Sequence, residues 1–366
     1  MADTAARLTD EVFPRVPVRQ WVLSLPYEIR YRMAWDGKLL SAVLAVFLRV
    51  VYGWYRRQSR KEGHDEARCG SVKRFGSALN VNPHFHVLMP DGVFVTGPGG
   101  EPAFCPAPPM TDADVRYIAE TTAERVIRLL QRRGLLEADS EDPLWQDDPL
   151  LASLTAASIR GIVATGERAG QRIRRRLVDP QEGIQGGPFC FSSRGFSLHA
   201  ATRIEADERS RLERLCRYVI RPPLAAGKLC VLDDDTLSFK LKTPWSDGTT
   251  DLVLSPLELI EKLAALVPPP RLNLVRYHGV LAPNAANRDR IVPGPNEGLT
   301  EPCSHPEQTA LPQPIYRLSW SRLLARVFRQ DVTQCPCGGT MKIIAALTEP
   351  LAIRTYLDGV FFSVCP

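Results

Sequence analysis

The chain lacks any long apolar run. Its most apolar stretch, Leu39 to Val51, is interrupted by Arg49 and falls short of the roughly 20 residues a membrane-spanning helix needs. That stretch reads instead as a buried helix, because Leu39, Val43, Val46, Phe47 and Val50 recur at helical spacing. Nor is there a secretory signal: Met1-Ala2-Asp3-Thr4 is polar and acidic, without the basic start and apolar core such a signal requires. Nine scattered cysteines, an odd number, argue against a disulfide framework and point to a reducing cytoplasm. No internal repeat is apparent, which sets aside solenoids. A large charge excess is missing too. With 46 basic and 41 acidic residues the net charge is +5, so the placement of charge carries more than its total.

What is present is a chain of 366 residues with 44% hydrophobic content, enough for two or three domains with real cores. Arginine is clustered, at Arg125, Arg128, Arg132 and Arg133 and again from Arg168 to Arg176. The second cluster follows helical spacing with Ile173 and Leu177. Such a face is either solvated or in contact with phosphate, since arginine neutralises backbone charge and releases counterions. Residues 1–70 read as helical and 71–245 as a catalytic domain with a helical insertion at about 110–180. Residues 246–366 read as a C-terminal region with a Pro-rich linker. Within the insertion, Thr111 and Asp114 form a capping-box pattern ahead of a helix to Leu136, and 139–148 reads as an acidic loop. Pro293 to Pro314 reads as an exposed connection.

The most informative stretch is Leu79-Asn80-Val81-Asn82-Pro83-His84-Phe85-His86-Val87. Successive strand side chains point to opposite faces. Asn80, Asn82, His84 and His86 then share one face, while Leu79, Val81, Phe85 and Val87 back it with a core face. Two imidazoles so placed make a rigid bidentate grip for a metal, and they equally fit a polar strand face meeting solvent. Pro83, lacking an N–H, belongs at the strand's start or edge. Pro90-Asp91-Gly92 reads as a tight turn into Val93-Phe94-Val95, a hairpin signal.

A second segment, Glu208 to Val219, has helical period, with Leu212, Leu215, Cys216 and Val219 on one stripe. Tyr218 stands at its margin among Arg214, Arg217 and Arg221, placed to meet phosphate or simply half-buried with its hydroxyl in water. Pro222 and Pro223 end the helix.

Taken together, these motifs resemble the HUH endonucleases, and within them the rolling-circle insertion-sequence transposases. The resemblance is carried by His84-Phe85-His86 and by Leu215-Cys216-Arg217-Tyr218-Val219-Ile220-Arg221-Pro222-Pro223. It extends to Val18-Arg19-Gln20-Trp21-Val22-Leu23-Ser24-Leu25-Pro26, Arg276-Tyr277-His278-Gly279 and Cys335-Pro336-Cys337-Gly338-Gly339. It implies an α+β fold with an antiparallel-sheet HUH core, a helical N-terminal region and a mixed C-terminal region. It implies Tyr218 as nucleophile, His84 and His86 as ligands of Mg2+ or Mn2+, and single-stranded DNA at mobile-element ends as partner, in a bacterial, nucleoid-associated setting without membrane contact. Arg217, Arg221, Arg172 and Arg175 are candidate DNA contacts, and Trp54, Tyr55 and Arg56 could stack bases or be core. Arg214 stands four residues before Tyr218, where two-tyrosine members carry a second tyrosine, so the chain resembles the single-tyrosine branch. The resemblance also implies a Cys-rich zinc-binding segment ahead of the region matching Met1 to Pro26, and a chain that begins without it reads as a truncation, a late start codon or an element fragment. Cys335 and Cys337 with Cys303 and His305 are candidate zinc ligands. A catalytically inactive DNA-binding fragment and an unrelated metal-dependent hydrolase are the competing readings.

Overall fold

The computed structural model describes residues 2–64, 66–76, 82–97, 99–136, 143–177, 187–221, 227–241, 248–267, 273, 275–294, 318–328, 331–335, 337–341, 347, 349 and 351–355. The fold is α+β, with antiparallel sheets. In chain order the first elements are α1 (Ala2–Arg7), a π-helical turn (Leu8–Val12), β1 (Val18–Ser24), α2 (Tyr27–Trp35), α3 (Gly37–Lys61), β2 (Gly70–Gly76) and β3 (His84–Pro90). There follow β4 (Gly92–Thr96), β5 (Pro102–Pro106), α4 (Asp112–Arg132), α5 (Pro143–Asp147), α6 (Pro149–Arg160), β6 (Arg174–Leu177), β7 (Cys190–Ser193), β8 (Phe196–His199) and β9 (Arg203–Ile204). The remainder are α7 (Arg209–Val219), β10 (Leu229–Asp233), β11 (Thr236–Lys240), β12 (Thr249–Leu254), α8 (Pro256–Ala265), β13 (Val275–Gly279), α9 (Arg288–Ile291) and α10 (Trp320–Phe328).

Residues 8–301 form one compact unit and residues 1–7 with 302–366 another. In the larger unit the main sheet runs β13-β2-β3-β1-β8-β7, with β9 also pairing β1. β1 and β3 pair in a register that sets Leu23 opposite Phe85 and Trp21 opposite Val87. Residues directly opposite share a face. This face therefore carries Trp21, Leu23, Phe85 and Val87, all at most 1% exposed, packed on Val43, Phe47 and Trp54 of α3 and Val115, Ile118 and Val126 of α4. Each large side chain so buried stabilises the fold by about 1.5–3 kcal/mol. The apolar stretch of α3 is thus the inner stripe of a core helix. It is long and apolar enough to cross a membrane by length and composition, yet most of that window is buried against the sheet. Asp36 caps α3 by accepting from the backbone N–H groups of Lys38 and Leu39. The Thr111–Asp114 capping box at α4 is formed as its sequence predicts.

A smaller sheet, β10-β11-β12-β6, packs Phe239, Leu252 and Leu254 with Leu259 of α8, Val163 and Ile173. Here the second arginine cluster departs from its helical reading. Arg174 to Leu177 form strand β6, whose Arg175 lies opposite Leu252 and Arg176 opposite Asp251. The helical spacing is overridden because β12 offers this short run a ladder partner, and propensity is a weak prior beside tertiary pairing. The acidic loop at 139–148 is likewise part helix, since Pro143–Asp147 form α5.

The turn at Asp91 is not a hairpin. β3 pairs with β1 and β2, while β4 leaves to pair with β5. The cause is the Asp91 carboxylate, 3% exposed. It accepts from Arg19 through both oxygens at 2.9 Å, from Tyr55 Oη at 2.7 Å and from Arg203 Nε at 2.7 Å. Burial alone would raise this carboxyl's pKa, but hydrogen bonds and charge from Arg19, with Tyr55 and Arg203, hold it below the ordinary value. Gly92 follows because a Cβ there would come within 2.2 Å of the Cys105 carbonyl. Trp54 and Tyr55 are 2% and 1% exposed, and Trp54 Nε1 donates to Asp114, so neither is available to stack on a base. Residues 268–272 and 295–317, which include the Pro-rich linker and most of the Pro293–Pro314 connection, lie outside the described residues.

Candidate functional site

The opposite face of the main sheet carries the site. The register that buries Phe85 puts His84 across from Ser24 and His86 across from Val22, which in turn faces His199 on β8. Pro83 immediately precedes β3, where its missing N–H breaks no ladder bond. α7 supplies the wall. Leu212, Cys216 and Val219 turn inward, with the Cys216 thiol pushed up to about 12 mainly by burial. Tyr218 is left at the margin, 44% exposed. The result is an open cleft of about 570 Å³, lined by Gln20, Ser24, His84, His86, His199 and Tyr218 among others.

His86 is the centre of this arrangement. Its ring meets that of Tyr218 edge-on, with centroids 6.1 Å apart, and that of His84 with centroids 4.8 Å apart. The Nε2 atoms of the two histidines are 3.0 Å apart. His84 Nδ1 lies 2.7 Å from the Asn82 carbonyl oxygen. A carbonyl can only accept, so Nδ1 carries the proton and Nε2 of His84 bears a lone pair. His86 Nδ1 lies 2.9 Å from the Gln20 amide nitrogen. Gln20 donating to His86 Nδ1, His86 Nε2–H donating to His84 Nε2, and His84 Nδ1–H donating to Asn82 form one consistent chain. Rotating the Gln20 amide by half a turn instead presents Oε1 to His86 Nδ1–H, leaving both Nε2 atoms bare.

These groups fit a divalent cation in that second state. Two nitrogens bonded to one ion at about 2.1 Å and about 90° to each other are about 3.0 Å apart, which is the spacing observed. Burial lowers the His84 pKa; the Asn82 hydrogen bond opposes this and the charge of Arg30 adds to it. The net shift favours the neutral imidazole that metal binding needs. Among the described residues no group of three His, Cys, Asp or Glu side chains converges.

Other candidates fall differently. Arg217 reaches back to the buried Glu213 at 3.4 Å, and Arg221 is exposed at the end of α7. Arg172 and Arg175 sit apart from the cleft. Arg172 forms a bridge with Ile162, and Arg175 lies on the small sheet. Cys335 and Cys337 stand in the smaller unit on a tight turn closed by Cys335 N–H to Gly339 O and Gly338 N–H to Cys335 O, both 2.8 Å. A hydrogen bond from Cys335 lowers the Cys337 thiol's pKa. Cys303 and His305 lie outside the described residues. Gln20, His199 and Arg30 are the site neighbours that sequence reasoning missed. Alternation along β1 groups Gln20 with Ser24, but nothing in the primary sequence pairs β1 with β3.

Comparison with known families gives the class: a DNA-processing enzyme. Residues 69–289, more than half of the chain, match the family described as "Putative transposase", and the chain belongs to that transposase family. The matched span contains His84, His86 and Tyr218. Searches of curated proteins and of solved structures return no match.

Proposed function

We propose that this transposase nicks and rejoins single-stranded DNA through Tyr218, as an HUH-type, single-tyrosine enzyme of rolling-circle transposition. The observation that carries the reading is the Tyr218 ring standing 6.1 Å from the His86 ring over an open cleft. The phenolic oxygen attacks the scissile phosphorus and releases its proton to solvent. The bond from phosphorus to the 3′ oxygen breaks, leaving a 5′-phosphotyrosine and, after protonation, a free 3′-hydroxyl. Attack by a second 3′-hydroxyl reverses the step and joins strands without ATP, because the bond energy is held in the covalent link. A divalent cation at His84 and His86, Mg2+ or Mn2+, would supply charge stabilisation to the phosphate oxygens. Manganese suits a mixed imidazole and oxygen set better than magnesium does. Gln20 and Asn82 hold the two imidazoles in orientation, and Arg221 at the end of α7 offers charge to the strand entering the cleft.

The test is covalent capture. The full chain, incubated with labelled single-stranded DNA carrying the element's ends and Mn2+, forms a denaturation-resistant adduct. Tyr218→Phe retains binding and forms none, since only a hydroxyl is lost from a half-exposed ring. An adduct that persists in Tyr218→Phe, or that maps to Tyr277 or Tyr316, overturns the assignment.

A further inference from the structure

A second charged groove lies on the outer side of the helical layer, with that layer and the sheet between it and the Tyr218 cleft. It runs between α3 and α4, has a volume of about 490 Å³, and is lined by Val46, Arg49, Arg125, Arg128, Gln131 and Arg132. Arg125, Arg128 and Arg132 stand at i, i+3 and i+7, one stripe of α4, and Arg49 faces them from α3. All four arginines are exposed. Two are braced by their own helix: Arg49 Nε donates to the Ala45 carbonyl at 3.1 Å and Arg132 Nε to the Arg128 carbonyl at 3.3 Å. Arg128 also meets Glu124 at 3.6 Å, both side chains largely in solvent, a pairing worth little and readily exchanged. Among the described residues no acidic side chain lines the groove.

We infer that this groove is a second nucleic-acid site, binding the sugar–phosphate backbone on the face of the catalytic sheet away from Tyr218. Four guanidinium groups line an open trough in which Val46 is the one aliphatic residue, and they present donors for phosphate oxygens. At 1.5 Å per residue, Arg125 to Arg132 span about 10 Å along α4, close to three nucleotides of a strand rising about 3.4 Å each. The contacts are to backbone, so this site adds affinity without reading sequence. It would hold DNA away from the point of cleavage while the cleft acts on one strand. The inference rests on the family's DNA chemistry and not on the role of Tyr218.

The experiment uses the full chain and a labelled 40-nucleotide mixed-sequence single strand, with affinity measured across a salt series. Arg125→Ala/Arg128→Ala/Arg132→Ala should weaken binding at least tenfold at 50 mM salt. It should also lower the slope of log affinity against log salt by about 2, because each single-strand phosphate left without its arginine takes about 0.7 from that slope. The matching triple Lys variant should retain most of the slope. On the unaltered chain, bound DNA should protect Arg125, Arg128 and Arg132 from phenylglyoxal modification read by mass spectrometry, a measurement free of any folding defect. Unchanged slope and affinity in the Ala variant, or no protection of these arginines, overturns the inference. Tyr218→Phe leaves the groove intact, so protection without a covalent adduct on the unaltered chain would count against Tyr218 alone.

Discussion

Replacing Asp91 with Asn probes the joint on which β1, β3 and β9 converge. The carboxylate is buried and takes two hydrogen bonds from Arg19, one from Arg203 and one from Tyr55. Asn has the same shape and keeps one acceptor oxygen, but it removes the negative charge that neutralises Arg19, a residue only 5% exposed. Removing one partner of a buried ion pair costs about 3–5 kcal/mol, because the other charge stays buried and uncompensated. The lower end applies here, since Arg203 is partly solvated and retains its ion pair with Glu205. A loss of about 3 kcal/mol, at a urea dependence of about 3 kcal/mol per molar, lowers the unfolding midpoint by about 1 M. The pH dependence follows from the depressed folded-state pKa of Asp91. Its stabilisation is fully present above the unfolded carboxyl's value of about 3.9 and is lost as pH falls through the lower folded value. The native chain and the variant should therefore differ by about 3 kcal/mol at pH 7, and the difference should begin to shrink below about pH 4. Urea melts at pH 7, 5 and 3.5 measure both. A difference under about 1 kcal/mol at pH 7, or one that does not shrink with acid, refutes the reasoning.

Two further expectations concern the cleft. Gln20→Leu removes the group that orients His86, and loss of such an outer partner lowers metal affinity by about 10–100-fold. Mn2+ titration by calorimetry measures it, and an unchanged affinity would mean the Gln20 amide has no part in setting the His86 tautomer. His84→Ala and His86→Ala should each abolish metal-dependent nicking while leaving the melting transition largely in place, because both side chains line an open cleft and the core face of β3 is untouched. Nicking that persists in either variant and still responds to chelator would move the metal grip elsewhere.

Local chemistry alone determined a good part of this protein. Alternation from His84 to Val87 placed both imidazoles on one face and Phe85 and Val87 on a core face, because strand geometry permits no other arrangement. Helical period put Tyr218 at the edge of the α7 stripe, and Thr111 with Asp114 specified the start of α4. Each depends on neighbours within a few residues. What only the tertiary structure decided depends on partners far along the chain. β1 as the neighbour of β3 brings Gln20 to His86 across 66 positions. Asp91 is drawn inward by Arg19 and Arg203, 72 and 112 positions away, which turns an apparent hairpin into the departure of β4 from the main sheet. The arginines from 174 to 176 became a strand because β12 stood ready to pair with them, and helical spacing cannot register a ladder partner some 75 residues ahead. The meeting of His86 with Tyr218 belongs to the same class: each element was legible separately, but the closing of α7 over the sheet was set by packing between distant surfaces.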